Sequence, residues 1–159
     1  MNSVWHENAS MPSFPKLEGD IKTEVLIIGG GISGILCAYF LQQEGVKYVL
    51  VESGKICSGA TKNTTAKITA QHGLVYDKLI KGVGLKKAGL YLKANLLALE
   101  KYKSLCKDID CDFEQKDSYV YSLDNRDKIK GEVEALKNLG ISAKFIDKVN
   151  LPFKIEGAV

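Results

Sequence analysis

The stretch Thr23-Glu-Val-Leu-Ile-Ile-Gly-Gly-Gly-Ile-Ser-Gly34 constrains this chain more than any other. Val25–Ile28 is a continuous apolar run, as expected of a parallel strand covered on both faces. It passes into a glycine-rich turn and then into a helix over 32–44, whose apolar residues Ile32, Ile35, Leu36, Tyr39 and Phe40 recur at helical spacing. Gly45 stops that helix, and Tyr48–Val51 reads as a second strand ending at Glu52. Strand, tight turn, helix and strand make one βαβ unit of about 30 residues. The spacing Gly29-x-Gly31-x-x-Gly34 is the dinucleotide-binding fingerprint. Gly29 permits the turn, Gly31 admits a pyrophosphate close to the backbone, and Gly34 allows close packing of helix on strand. The helix N-terminus, with Ser33 in its first turn, then offers N–H groups and the positive dipole end to phosphates.

The fingerprint alone is common, so its context decides. Glu52 lies 18 residues beyond Gly34, against about 20 expected. A carboxylate there accepts hydrogen bonds from ribose hydroxyls and repels a 2′-phosphate, which argues against an NADP-type ligand. The competing readings are a solvated acid at a strand end and a tight turn without a ligand; the complete context favours the dinucleotide.

With 159 residues, 45% hydrophobic and 26% charged, the chain has the length and composition of one globular domain or part of a larger one. A net charge of +3, with 22 scattered Lys and Arg, excludes an obvious nucleic-acid surface. Cys37, Cys57, Cys106 and Cys111 contain no CxxC pair, and His6 and His72 are the only histidines, so no metal site is expected. Free thiols suit a reducing compartment. No apolar leader is visible over 1–20, and no run is long enough to span a membrane. The expected location is cytoplasmic.

Three regions are expected: an irregular arm over 1–22, with Trp5 and Phe14 as anchors; a nucleotide-binding core over 23–84; and a mixed segment over 85–159. In the last, helices are expected over 85–109 and 127–139, the second capped by Gly140. Strand pieces are expected from Phe113, over Ser118–Ser122 and over Ile141–Ile146. Tyr119 and Tyr121 share one strand face, where ordinary packing competes with a substrate-bordering role.

The segment after Glu52 separates FAD from NAD. A nicotinamide dehydrogenase would proceed to another βα unit. Here a loop rich in hydroxyls follows, with Ser53, Ser58, Gly59, Thr61, Thr64, Thr65, Ala66 and Lys67, suited to a pyrophosphate and a ribityl chain.

Together, Val25–Gly34, Val49-Leu-Val-Glu52 and Ser58-Gly-x-Thr-x-x-Thr-Thr-Ala-Lys-Ile-Thr-x-Gln-His-Gly73 resemble the FAD-dependent oxidoreductases of the D-amino-acid-oxidase type. The chain is most similar to the bacterial branch that often carries a C-terminal Rieske domain. Tyr91–Asn95, Cys111–Phe113, Tyr119–Ser122 and Leu151–Phe153 extend the resemblance over nearly the whole length.

The resemblance implies an α/β fold: a Rossmann-like, FAD-binding βαβ core with part of a mixed α+β substrate domain. Gly29, Gly31, Ser33 and Gly34 would hold the pyrophosphate and Glu52 the ribose. The 58–67 loop would run along the flavin, with Thr64, Thr65 and Ala66 closest. Lys67 is either a group that stabilises charge on the reduced ring or a surface lysine. His72 is either an active-site acid, base or flavin contact, or a hydrogen-bonded structural residue. No catalytic residue is singled out.

The expected chemistry is hydride transfer to flavin from a small amine or hydroxy substrate. Members of this family are far longer than this chain, and the cysteine–histidine pairs of a Rieske cluster are missing. The expectation is therefore an N-terminal piece, a truncated or split gene product or a deliberately cut one, inactive alone. Alternatives are a non-catalytic nucleotide-binding module completed by a partner chain, and an NAD-dependent dehydrogenase domain.

Overall fold

The computed structural model describes residues 10–159, so the expected anchor Trp5 lies outside the described residues. The chain divides into two compact units, one through Lys67 and one over Ile68–Val159. Beyond Lys67, the segment Tyr76–Val83 forms a helix that packs into the second unit's core.

In the first unit, β1 (Val25–Ile28) and β2 (Tyr48–Val51) pair in parallel, Val25 opposite Tyr48 and Ile28 opposite Val51. Helix α1 (Ile32–Gln43) connects them. Two antiparallel strands need only a tight turn, but a parallel pair requires such a crossover. Gly45, at φ +69°, ends α1: its N–H reaches the Gln42 carbonyl at 3.1 Å, and the Val46 N–H reaches Leu41 at 3.0 Å. These two bonds satisfy carbonyls that the helix end would leave unpaired.

Ile27 and Ala38 are buried, but Ile28 is 82% exposed, and Leu26 is also exposed. The β1 run is expected to be covered on both faces; among the described residues, one face of this two-stranded sheet remains open. Leu17 and Ile21 of the arm line a shallow cleft with Leu26, Val49 and Val51 on that face. Phe14, expected to anchor the arm, is 68% exposed.

The second unit holds α2 (Tyr76–Val83), α3 (Leu85–Cys106), α4 (Arg126–Asn138) and a short antiparallel pair, β3 (Tyr121–Ser122) with β4 (Gly157–Ala158). Its core joins Tyr76, Leu92, Ile129, Val133, Leu136 and Val159. Helix α4 is well specified locally. The Asn125 side chain accepts the Lys128 N–H at 2.9 Å, and Gly140 ends the helix at φ +82°. The strand expectations shrink: 113–119 forms no strand, and Ile141–Ile146 contributes one bridge, from Ile146 to Ala158. The β3–β4 register continues by one pair, Val120 and Val159 exchanging N–H bonds at 2.9 Å, and residues 113–119 find no strand partner among the described residues. Tyr121 instead packs its ring against Phe153, 5.7 Å between centroids.

Glu132 is fully buried on the core face of α4. Its carboxylate accepts N–H bonds from Val75, Tyr76 and Asp77 at 3.0–3.1 Å, capping α2 from a distant part of the chain. Helix α2 has no capping side chain of its own at Val75. The Tyr76 hydroxyl donates to the Ala70 carbonyl, and burial raises its phenol above the ordinary value. No described helix is long and apolar enough to cross a membrane.

Candidate dinucleotide site

The candidate site is built within the first unit, where β1 gives way to α1. Gly29 stands at φ +108°, a conformation that L side chains rarely adopt, and its N–H is held by the Val51 carbonyl at 2.8 Å. The turn is thus tied to the end of β2. Gly34 has a different constraint: a Cβ there would collide with the Gly29 carbonyl oxygen. Close packing of helix on turn therefore depends on this missing side chain, as the fingerprint spacing predicts.

Gly31 precedes the helix at φ −80°, so conformation does not require glycine. A Cβ there would stand 3.3 Å from the Thr61 hydroxyl oxygen, a tight contact that Thr61 would relieve by giving a few tenths of an ångström. Thr61 lies on a single 3₁₀ turn, Ala60–Asn63, and its hydroxyl accepts the Ile32 N–H at 3.0 Å. The loop after β2 is in this way stitched to the N-terminus of α1. The first turn of α1 has no acidic residue and no side-chain cap at Gly31. Ser33 and Gly34 lie in that first turn, where helix geometry supplies no intrahelical acceptor for the backbone N–H. The positive end of the dipole is left for an external anion.

Glu52 supplies the opposite rim. Its Oε2 accepts the Gly30 N–H at 2.8 Å, and Oε1 accepts the Gly54 N–H at 2.9 Å and the Ser53 hydroxyl at 3.2 Å. The N–H groups of Gly30 and then Gly54 hold the carboxyl below its ordinary pKa, so it is firmly anionic at neutral pH. A carboxylate oxygen has more than one lone-pair direction, so Oε2 keeps acceptor capacity on its solvent side. Ser53 is thereby placed as a support of Glu52.

Two contributors were not singled out from the sequence. Gly30, the middle glycine, is buried; its carbonyl accepts the Cys57 N–H at 2.8 Å, and a Cβ there would lie 2.8 Å from Ile56 Cγ2. Cys57 stands at φ +56°, a strained position for a side-chain-bearing residue. The run of three glycines was the available signal for Gly30; nothing local announced Cys57.

The rest of the loop is less tightly assembled. The Ser58 N–H bonds to the Lys55 carbonyl at 3.3 Å, and Gly59 is exposed. The Thr64 hydroxyl accepts the Ala66 N–H at 3.2 Å, and Ala66 takes φ +54°. Thr65, Ala66 and Lys67 are exposed. His72 is exposed in the second unit. Among the described residues no group of three or more His, Cys, Asp or Glu is arranged to hold a metal ion.

A glycine-lined turn with no Cβ in its mouth, a helix N-terminus capped only at Ile32 by the Thr61 hydroxyl, and an anionic acceptor opposite fit the ADP portion of a dinucleotide. Comparison with known proteins identifies the family. Residues 24–157 match the family described as DAO, FAD dependent oxidoreductase. A relative from Bacillus subtilis (strain 168), named as a Rieske 2Fe-2S iron–sulfur protein, YhfW, is 40% identical over 154 residues. That alignment takes in 94% of this chain, which spans 30% of the relative's length. The match settles the choice between NAD and FAD left by the glycine turn, and the chain belongs to the DAO family of FAD-dependent oxidoreductases.

Proposed function

We propose that the unit through Lys67 forms a Rossmann-like site that holds the ADP half of FAD, within a flavin oxidoreductase acting on a small amine or hydroxy substrate. The observation that carries this reading is the joint anchoring of the glycine turn by Glu52 and Thr61. In this arrangement the N–H groups of Gly31, Ser33 and Gly34 receive the pyrophosphate. Glu52 Oε2 receives a ribose hydroxyl while still bracing Gly30. Bound FAD supplies a two-electron acceptor for a hydride from the substrate carbon. Thr64, Thr65 and Ala66 lie on the loop that runs toward the flavin, and the strained Ala66 supports that role. Lys67 offers a cation at the end of the loop.

The exposed Leu26 and Ile28 favour a further element of the reading: additional polypeptide, on the same or a partner chain, completes the sheet and the substrate side. Four cysteines without a CxxC pair fit a reducing, cytoplasmic setting.

The test is an FAD titration followed by flavin absorbance and fluorescence, with Gly31→Val as the control. Bound-flavin bands are expected for the native chain. The variant should lose at least about tenfold in affinity, the order expected for losing a hydrogen bond to a charged group. Native-like affinity in Gly31→Val would remove the pyrophosphate from this turn.

A further inference from the structure

The corner between α2 and α3 carries a surface that the flavin reading leaves unused. The two helices meet at a single residue, Gly84, which takes φ +83°. Its N–H reaches the Ile80 carbonyl at 3.0 Å, and its carbonyl accepts the Ala88 N–H at 3.1 Å. Residues 81–87 are all exposed, Val83 at 48% and Leu85 at 50%. A Cβ at Gly82 or Gly84 would meet no atom within 4 Å, so the corner projects as a convex tip. On the side of α3 away from its buried Ala88 and Leu92, Leu90 and Leu97 are more than half exposed, two turns apart.

The charge around the tip has one sign. Its sequence, Lys81-Gly-Val-Gly-Leu-Lys-Lys87, sets two apolar side chains between lysines. No Asp or Glu occurs from Lys78 to Leu99, a stretch that also holds Lys81, Lys86, Lys87 and Lys93. Lys81 pairs with Asp77 at 2.7 Å, and the other four lysines form no ion pair among the described residues. Lys86 and Lys87 stand in the first turn of α3, at the positive end of its dipole, where acids are favoured. Helices α2 and α4 place Asp77 and Asp127 in their first turns, whereas α3 places no acid there. Two cations at that position cost helix stability, and an external anionic surface offsets the cost.

We propose that this corner is a docking surface for anionic phospholipid. Val83 and Leu85 enter the boundary between headgroups and acyl chains, and Lys78, Lys86, Lys87 and Lys93 hold the headgroups. A bilayer interface presents anionic groups above an apolar layer, and an apolar tip with a basic collar matches that order. A tip that projects, rather than a groove that receives, suits a fluid interface that yields to it. Contact is confined to the interface, since two apolar side chains reach only its outer boundary. Attraction between the lysines and anionic lipid falls off within a Debye length, so the docking is sensitive to salt.

The test is co-sedimentation of the native chain with vesicles of phosphatidylcholine alone and of equimolar phosphatidylcholine and phosphatidylglycerol. Binding is expected to the anionic vesicles only, and is lost at high salt. The pair Lys86→Glu and Lys87→Glu should lower the partition coefficient at least about tenfold, as polybasic contact with anionic lipid implies. The pair Val83→Ser and Leu85→Ser should lower it about tenfold through lost apolar burial, with the salt dependence kept. All four positions are exposed, so the circular dichroism of both variants should match that of the native chain. Val83→Trp should be quenched by lipids brominated on their acyl chains more strongly than the native chain, whose one tryptophan is Trp5. The proposal is overturned if neutral and anionic vesicles bind the native chain equally, or if neither binds it. It is equally overturned if either paired variant binds like the native chain, or if the tryptophan substitution adds no quenching. Retention on a polyaspartate resin without vesicle binding would assign the surface to an acidic protein instead. Should the variants fail to fold, the native chain's dependence on lipid charge and salt decides alone.

Discussion

Two glutamates, one in each unit, do similar local work under opposite conditions. Glu52 and Glu132 both receive backbone N–H groups from a segment remote in sequence. Glu132 is fully buried, takes three donors from the start of α2, and leaves no face to solvent. Glu52 stands at the exposed end of β2, braces Gly30 and Gly54, and keeps part of Oε2 open. The first is a fastener and the second is a fastener that also faces a ligand. What separates structure from function here is the remaining acceptor capacity rather than the residue type. The same contrast holds for the units. The second closes a core around Tyr76, Ile129 and Val133, while the first leaves Leu26 and Ile28 open and invests its order in a polar turn.

The comparison can be broken by mutation. Glu132→Ala strips three buried N–H groups of their acceptor and should lower stability by about 3 kcal/mol. Chemical denaturation would read this as a reduced midpoint, with FAD affinity unchanged in the folded protein. Glu52→Gln should do the reverse. Its amide nitrogen must face either the Gly30 or the Gly54 N–H, donor against donor, so FAD affinity should fall about tenfold. Equal effects of the two substitutions on binding would erase the distinction.

A smaller effect follows from acidity. The folded-state pKa of Glu52 lies below its unfolded value, because N–H groups favour the anion. Its contribution to stability is therefore full above the unfolded value near 4.5 and is lost as pH falls through the depressed folded value. Denaturation midpoints of native protein and Glu52→Gln should differ at pH 7 and converge below that range. A gap that widens on acidification would reverse the sign.

Much of the first unit was legible because its signals are local. An apolar run, a glycine turn, apolar residues at helical spacing and Gly45 specify β1, α1 and β2 almost to the residue. Gly140 marked the end of α4 for the same reason. Helix α2 was missed because it is short and its cap is Glu132, remote in sequence, while Val75 carries no capping group. The strands beyond 113 were overestimated because β-propensity does not reveal whether a pairing edge exists. At the site, Glu52 and the fingerprint glycines were visible as side-chain chemistry. Gly30 and Cys57 act through backbone bonds, which residue identity does not display.

The central claim is that the turn from Gly29 to Gly34 receives the ADP half of FAD. The most direct measurement is backbone amide NMR during parallel titrations with FAD, ADP and FMN. The expected result is that the Gly31, Ser33 and Gly34 resonances move with FAD and with ADP, and do not move with FMN. Perturbations that spare these three amides, or that follow FMN and not ADP, would contradict it.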